Sequence, residues 1–457
     1  MKNACSFEYT ETIRKMKRLH SPKYGLVCNV NVNERSIVNT VSIDGYNLSL
    51  GNIIPSYTTV VSNACTHNQV QGWGSSLSRD LSMVKAFGEF IERYCSNYNE
   101  KEWMHTVLFD SYKSLAHSGL QCLDLCELVP FADDLYNTPN FAYPKYTNDA
   151  PITWLEGKEL VQDCITWVPA QKVLGTYIKP ESELRYIPCI TTGLACGSTV
   201  QQAIINGLYE VIERDSFMLT WLLKIPCNRI DLDVITNREL SVMYRHVCAH
   251  LVGEDQLNIF DISQTNGVCT VVTFIQNRNP DAYGLIVTSA SHIDPEAALL
   301  KSLEELCQLQ AFAYSKLVLD DKRDCQKLTK HAINNLYAHS LYYSTGRRSN
   351  AFDFISANGG FAKLSDLKQS SQKHYSNYVS PLTYMIQLFS MSKSSVIAVN
   401  VTKPEIKESG FYVYKTIIPE YLDLSFTYSY RKQKNKRLQE LQRKYGVEIN
   451  DDPHPFA

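Results

Sequence analysis

Apolar residues recur at helical spacing in three long stretches of the chain. Between residues 81 and 98 they fall at Met83, Val84, Phe87, Ile91 and Tyr94; between 200 and 223 at Ile204, Ile205, Leu208, Val211 and Ile212; between 294 and 317 at Leu299, Leu300, Leu303, Leu306 and Cys307. Steps of three and four place each set on one stripe, which predicts three helices anchored by that stripe. Asp294, Pro295 and Glu296 open the third with a capping side chain, a proline at the first helical position and an acid in the first turn. β-Branched and aromatic runs predict strands at 24–30, 36–41, 166–170, 186–190, 268–275, 395–401 and 410–418. Helices and strands interleave without a linker-like stretch, which predicts an α/β or α+β fold with mixed sheets.

The polar positions of the three helices repeat one spacing. Lys85, Glu89 and Glu92 are matched by Asn206, Glu210 and Glu213, and again by Lys301, Glu305 and Gln308; Arg93 and Arg214 follow the first two sets. At about 100° per residue, positions i, i+4 and i+7 share an arc of roughly 60°, so each helix carries a polar head, a carboxylate and a second acid or amide on one stripe. One such stripe is an ordinary solvent face. Three in one chain are harder to explain that way, because neighbouring glutamates repel unless cations neutralise them. Glu89, Glu92, Glu210, Glu213 and Glu305 are hard oxygen ligands suited to Mg²⁺, an ion that joins protein carboxylates to substrate phosphates, and they point to a nucleotide site. Small-residue segments precede the first two helices, residues 71–79 ending in Ser78 and Arg79, and residues 191–199. Each offers backbone N–H groups and hydroxyls at a helix start, where anions bind, although a plain capping turn explains them equally. Neither has the lysine of a Walker loop.

Charge and cysteine content narrow the class. Lys and Arg number 45 against 47 Asp and Glu, so no overall basic bias indicates a nucleic-acid partner. The basic run from Arg431 to Lys444 reads as a solvated helix face. The 14 cysteines are scattered with no CxxC or CxxH spacing and read as reduced core thiols rather than a zinc site or a disulfide framework. The N-terminus lacks the apolar core of a secretory signal, and no stretch reaches the roughly 20 apolar residues of a spanning helix. A cytoplasmic protein with no membrane span is expected.

At the residues of the repeated helices the sequence resembles the YcaO family, ATP-dependent enzymes that activate backbone amides of ribosomally made peptides. The Glu-xx-Glu-Arg elements correspond to Glu89/Glu92/Arg93 and Glu210/Glu213/Arg214, and the third helix to the Ser302–Gln308 segment. The likeness continues through Thr192–Gly197 and Glu213–Trp221 to Pro453-His454-Pro455-Phe456, and implies a YcaO domain over 61–457 preceded by a strand-rich extension at 1–60. It implies ATP and Mg²⁺ as cofactors, with Mg²⁺ on the five glutamates and Ser78, Arg79, Lys85, Arg93, Asn206, Arg214 and Gln308 on the nucleotide.

Within the family the chain is most similar to streptolysin S-type D-proteins, the cyclodehydratases that make thiazoline and oxazoline rings from Cys, Ser and Thr of a precursor peptide. That implies a separate E1-like C-protein for leader-peptide recognition, and a flavin-dependent azoline dehydrogenase as a further partner; a homodimer is compatible with it. Three positions depart from the family pattern: Lys85 replaces a serine, Gly72-Trp73-Gly74 replaces Gly-Lys-Gly, and the Pro-rich ending closes on Phe456-Ala457. Pro453 and Pro455 have fixed φ angles, so the tail is expected to hold the Ala457 carboxylate rigidly as the catalytic base. Two other readings are a docking scaffold without activity and a YcaO enzyme making thioamides or amidines.

Overall fold

The computed structural model describes residues 9–456 except 22–24, 34–39, 44–45, 50–55, 63–69, 98–106, 130, 140, 176, 178–181, 320–326, 358 and 431–433. Three antiparallel strands, β1 (Val27–Asn33), β2 (Ser56–Ser62) and β3 (Gln71–Ser76), form a first sheet with β2 in the middle. Helix α1 (Arg79–Cys95) lies across it. A Cβ on Gly72 would stand 2.1 Å from the carbonyl oxygen of Ala86, and one on Gly74 2.2 Å from that of Ser82. The glycines of this segment therefore serve the close approach of strand to helix. The segment is a strand, not the anion-cradling loop its composition suggested. Ser78 caps α1 by accepting the Leu81 N–H at 3.5 Å.

The second sheet begins with β4 (Val107–Ser111), β5 (Pro151–Glu159), β6 (Cys164–Pro169) and β7 (Leu194–Gly197). Helix α2 (Val200–Leu222) follows, its first turn capped by Thr199, which accepts the Gln202 N–H at 3.1 Å. A third sheet contains β8 (Asn228–Asp231), β9 (Gln256–Asp261), β10 (Cys269–Gln276) and β11 (Leu285–His292), joined in parallel at β8 by β12 (Phe361–Lys363). Helix α3 (Arg238–Ala249) packs against α4 (Pro295–Leu319), and α4 also covers β10 and β11. Asp294 accepts the Glu296 N–H at 3.1 Å, as the helix-start pattern predicts. Strands β13 (Ile397–Asn400) and β14 (Tyr412–Ile417) complete the second sheet, in the order β4-β5-β13-β14-β7 with β6 beside β5.

Helix α2 is the spine of the molecule. Its first half packs in a cluster with Tyr384, Met385 and Phe389, and its second half in another with Phe260, Phe274, Phe352 and Phe456. It touches both large sheets, and Glu213, Asp215, Ser216 and Thr220 are buried, whereas Asn206 stays exposed and Glu210 and Arg214 are half-buried.

Two expectations are corrected. Residues 186–190 are not a strand: Pro188 has no N–H to give, and the Tyr186 N–H donates to the Gln171 side chain at 2.9 Å. The basic run is not all solvated. Its helix, α5 (Lys436–Tyr445), sends Arg437 to within 3.0 Å of buried Asp215 on α2 and over the ring of Tyr421. Of the strand expected at 36–41, residues 36–39 lie outside the described residues, and Thr40–Ile43 pairs with Tyr46–Ser49 as a hairpin.

Candidate nucleotide and metal site

Helices α1, α2 and α4 bring their acidic stripes to one place. On α1, Glu89 accepts the Trp73 N–H of β3 at 2.6 Å and pairs with Arg93 at 2.7 Å, whose guanidinium lies 4.7 Å over the Trp73 ring. Glu92 accepts the Cys196 N–H of β7 at 2.8 Å. On α2, Asn206 donates to the carbonyl oxygen of the same Cys196 at 3.3 Å, and Glu210 accepts the Gly193 N–H at 2.9 Å. Gly193 has φ +85° and stands so close to Thr416 that an added Cβ would lie 2.1 Å from its carbonyl oxygen, so only glycine turns its N–H toward Glu210. The backbone N–H groups expected to receive an anion are thus donated to the glutamates.

One turn further along α2, Glu213 is buried. It meets Arg214 at 2.9 Å, accepts the Ser289 hydroxyl at 3.0 Å and lies 3.7 Å from Lys301 of α4. Glu305 of α4 bears on the same group, raising the Glu213 pKa alongside burial. Lys301 heads the third copy of the repeat, yet as a lone cation on an acidic stripe it was not singled out from the sequence. Burial pulls its ammonium down, but Glu213, Glu305 and Glu210 outweigh that and raise it. The side chain remains 44% exposed, so solvent screens this attraction.

The neighbouring acid, Glu304, turns about 100° away from Glu305 and is buried. It accepts from Lys85 of α1 at 2.5 Å and from Ser76 at 2.8 Å. Lys85 also donates to the Ser75 carbonyl at 3.2 Å, so this cation ties α1 to α4. Gln308 accepts the Ser75 hydroxyl at 3.0 Å. Ser78 serves as the cap of α1, and Arg79 is exposed beside it.

The cluster holds more acid than it balances. Burial, followed by the charges of Glu210 and Glu89, lifts Glu92 to about 8 against the pull of the Cys196 N–H, and burial raises Glu89 despite Arg93. Among the described residues no three of His, Cys, Asp and Glu are gathered as a ready metal cage. The donor set nonetheless fits Mg²⁺: hard oxygens, mutually repelling and desolvated, whose strain a divalent cation relieves.

The tail reaches the same cluster from beneath. Trp221 donates to the Asp452 carbonyl at 3.1 Å, Tyr343 to the Pro453 carbonyl at 2.5 Å, and His339 to the His454 carbonyl at 2.9 Å. His454 donates to the Ser425 carbonyl at 3.0 Å and stacks on His339 at 3.9 Å. Burial depresses both imidazoles, His339 to about 4, so neither carries charge at neutral pH. Phe456, only 4% exposed, bridges to Val287 of β11, packs on Phe217 and supports the Arg214 guanidinium at 4.3 Å. Ala457 lies outside the described residues.

An α+β scaffold that gathers the acids of three helices beside small-residue strands defines a class of metal-nucleotide sites, and comparison with known proteins agrees. The chain belongs to the YcaO family: the family model described as YcaO cyclodehydratase, ATP- and Mg²⁺-binding, matches residues 73–422. ATP and Mg²⁺ are accordingly its cofactors. It is 30% identical over 241 residues to an uncharacterized protein of Methanothermobacter thermautotrophicus, covering 52% of this chain and 56% of that one, so the chain spans about half the length of this relative. Among solved structures it is similar to a heterocyclase in complex with substrate and cofactor, with TM-score 0.73 and 16% identity, over 98% of this chain and 57% of that one. The E. coli microcin synthetase McbBCD complex also matches, with TM-score 0.53 and 16% identity, over 81% of this chain and 85% of the matched one. No helix among the described residues is long and apolar enough to cross a membrane.

Proposed function

We propose that this protein is a cytoplasmic ATP-dependent cyclodehydratase that converts Cys, Ser or Thr of a ribosomally made precursor peptide to thiazoline or oxazoline. The observation that supports this reading is the buried Pro453–Phe456 tail, whose Phe456 ring lies under the Arg214 guanidinium that pairs with Glu213. In the proposed reaction the substrate thiol or hydroxyl adds to the preceding amide carbon and its proton passes to the Ala457 carboxylate. The former amide oxygen departs as phosphate while the amide nitrogen loses its proton and forms the C=N bond of the ring, with ADP as the other product. Mg-ATP, when bound, supplies the phosphoryl group that makes this oxygen a leaving group.

Glu89, Glu92, Glu210, Glu213 and Glu305 hold the metal in this reading. Arg93, Arg214 and Asn206 sit at the same surface and offset phosphate charge. Lys85, Gln308 and Ser78 act one step back, fixing α1 against α4 and its own first turn. A leader-binding C-protein supplies the peptide; the match to a synthetase complex supports a partner of this kind, and an azoline dehydrogenase acts on the product.

The test is incubation of the purified protein with precursor peptide, C-protein and Mg-ATP. Loss of one water per ring with matching release of ADP and phosphate is expected. ATP turnover without dehydration, or gain of sulfur in place of oxygen, would overturn the reading.

A further inference from the structure

One buried charge plays no part in the reaction scheme. Lys415 stands on β14 between Val413 and Ile417, on the strand face that packs into the apolar core, and is 0% exposed. Lysine is almost never fully buried without a partner. Two acids bear on its charge, Asp423 and Glu210, and Asp423 is already paired with Lys172 at 2.6 Å. The group that receives the ammonium is a backbone carbonyl, that of Ile190, at 2.6 Å.

That carbonyl opens a tight turn. The Leu194 N–H closes the turn on the Thr191 carbonyl at 2.8 Å, and within it Gly193 sends its N–H to Glu210 Oε2 at 2.9 Å. The far end of the turn is held by Thr416, the neighbour of Lys415: its N–H donates to the Gly193 carbonyl at 2.7 Å, and its hydroxyl donates to the Ile204 carbonyl of α2 at 3.3 Å. Side chains alternate along a strand, so Lys415 and Thr416 point to opposite faces of β14 and grip the turn together, one through its ammonium and the other through its amide. On the α2 side there is no slack, since a Cβ on Gly207 would stand 2.5 Å from the Gly193 carbonyl oxygen. The direction of the Gly193 N–H is therefore set from β14. The other Glu210 oxygen lies 3.6 Å from Arg214, beyond hydrogen-bond reach, so the turn supplies the closer of these two contacts to the carboxylate.

We propose that Lys415 is a positioning residue for the metal site: through the Ile190 carbonyl and the turn to Gly193 it aims the Glu210 carboxylate, and Mg²⁺ affinity depends on it although it is not itself a ligand. Partners of this kind, one step behind the ligands, fix the orientation in which a carboxylate meets its ion. The inference rests on the metal role given to Glu210 above and not on the peptide chemistry, so its test needs no turnover.

The test is a pair of double-mutant cycles read by calorimetric titration of Mg²⁺ into the full chain saturated with a non-hydrolysable ATP analogue. Lys415→Met, which keeps the apolar stem and removes the ammonium, should weaken Mg²⁺ binding by about 10-fold, the lower end of what an outer partner contributes. Made in a Glu210→Gln background, the same change should cost less than about twofold, because the carboxylate it aims is already gone; in a Glu89→Gln background the full loss should persist. A general loosening of the fold would instead weaken binding equally in both backgrounds. Lys415→Gln keeps a donor one atom shorter and serves where the Met variant does not fold: it should show a smaller loss with the same dependence on Glu210. Unchanged Mg²⁺ affinity in the Lys415 variants, or an equal loss in the two backgrounds, overturns the positioning role while leaving Glu210 a ligand. Unchanged affinity in Glu210→Gln itself overturns the metal assignment of Glu210 and the positioning role with it.

Discussion

The Arg214 guanidinium lies 4.3 Å over the ring of Phe456, joining the last described residue of the chain to a cation that faces Glu213. The contact is desolvated, a setting in which a cation–π pair contributes about 2 kcal/mol. It holds the tail independently of anything beyond Phe456.

A Gly-Ser extension after Ala457 therefore separates anchoring from catalysis. Stability to denaturant should stay within about 0.5 kcal/mol of wild type, since Phe456 keeps its contacts. Ring formation should fall by about 100-fold or more, the loss expected when a positioned base is removed. A tagged protein that cyclises at the wild-type rate would exclude the terminal carboxylate.

Glu92 gives a pH test on the protein without metal or nucleotide. Its folded pKa, raised from 4.5 to about 8, means that the folded state holds a proton the unfolded chain releases. Its contribution is full below pH 4.5 and declines as pH rises to about 8. Glu92→Gln should remove this decline and be the more stable form at pH 8. Mg²⁺ binding to wild type should release protons near pH 7, a release the variant reduces. Parallel stability profiles for the two proteins would show that Glu92 is not held protonated.

Lys415 has the opposite sign. Burial, then the charge of Lys172, lowers its ammonium from 10.5 to about 8, and Lys172 itself is paired with Asp423 at 2.6 Å. Between pH 8 and 10.5 the unfolded chain keeps a proton that the folded state has lost, so this group makes stability rise with pH over that window. The shift corresponds to roughly 3 kcal/mol. The difference between wild type and Lys415→Met, followed by urea unfolding, should rise by that order from pH 8 to 10.5; a flat difference would refute it.

Lys85 and Glu304 can be judged as a pair. Lys85→Met leaves Glu304 buried beside Ser76 alone and should cost about 2 kcal/mol, between the limits for exposed and buried ion pairs. The double variant Lys85→Met/Glu304→Gln should recover most of that loss and bind ATP within about twofold of wild type. A tenfold loss of ATP affinity in the stable double variant would instead assign Lys85 to the phosphates.

Much of this was legible before the fold. Periodicity located α1, α2 and α4, and the repeated spacing picked out the glutamates that converge, because both depend on neighbours three and four residues apart. Glu305 and Glu304 were separable for the same reason: one position rotates a side chain by about 100°, toward Glu213 or toward Lys85. Lys301 was named as the head of the third repeat but given no role at the site, because a lysine among acids on a helix is the usual composition of a solvent face. Lys415 sits in an ordinary strand pattern, and its burial depends on the sheet partner Leu194 and on the Ile190 carbonyl, both more than 200 residues away. The tail's rigidity was readable from its prolines, whereas its docking onto Trp221, His339 and Tyr343 is set wholly by tertiary packing.

Three backbone amides, those of Trp73, Gly193 and Cys196, each give their hydrogen to a glutamate of the acid cluster. Such a hydrogen feels the electron density of its acceptor, so its resonance moves whenever that carboxylate gains or loses a proton or a metal. These amides are intrinsic spectroscopic reporters, one for Glu89, one for Glu210 and one for Glu92. With ¹⁵N labelling, they resolve the order in which the acids become occupied as Mg²⁺ and nucleotide are titrated in, without a probe being attached.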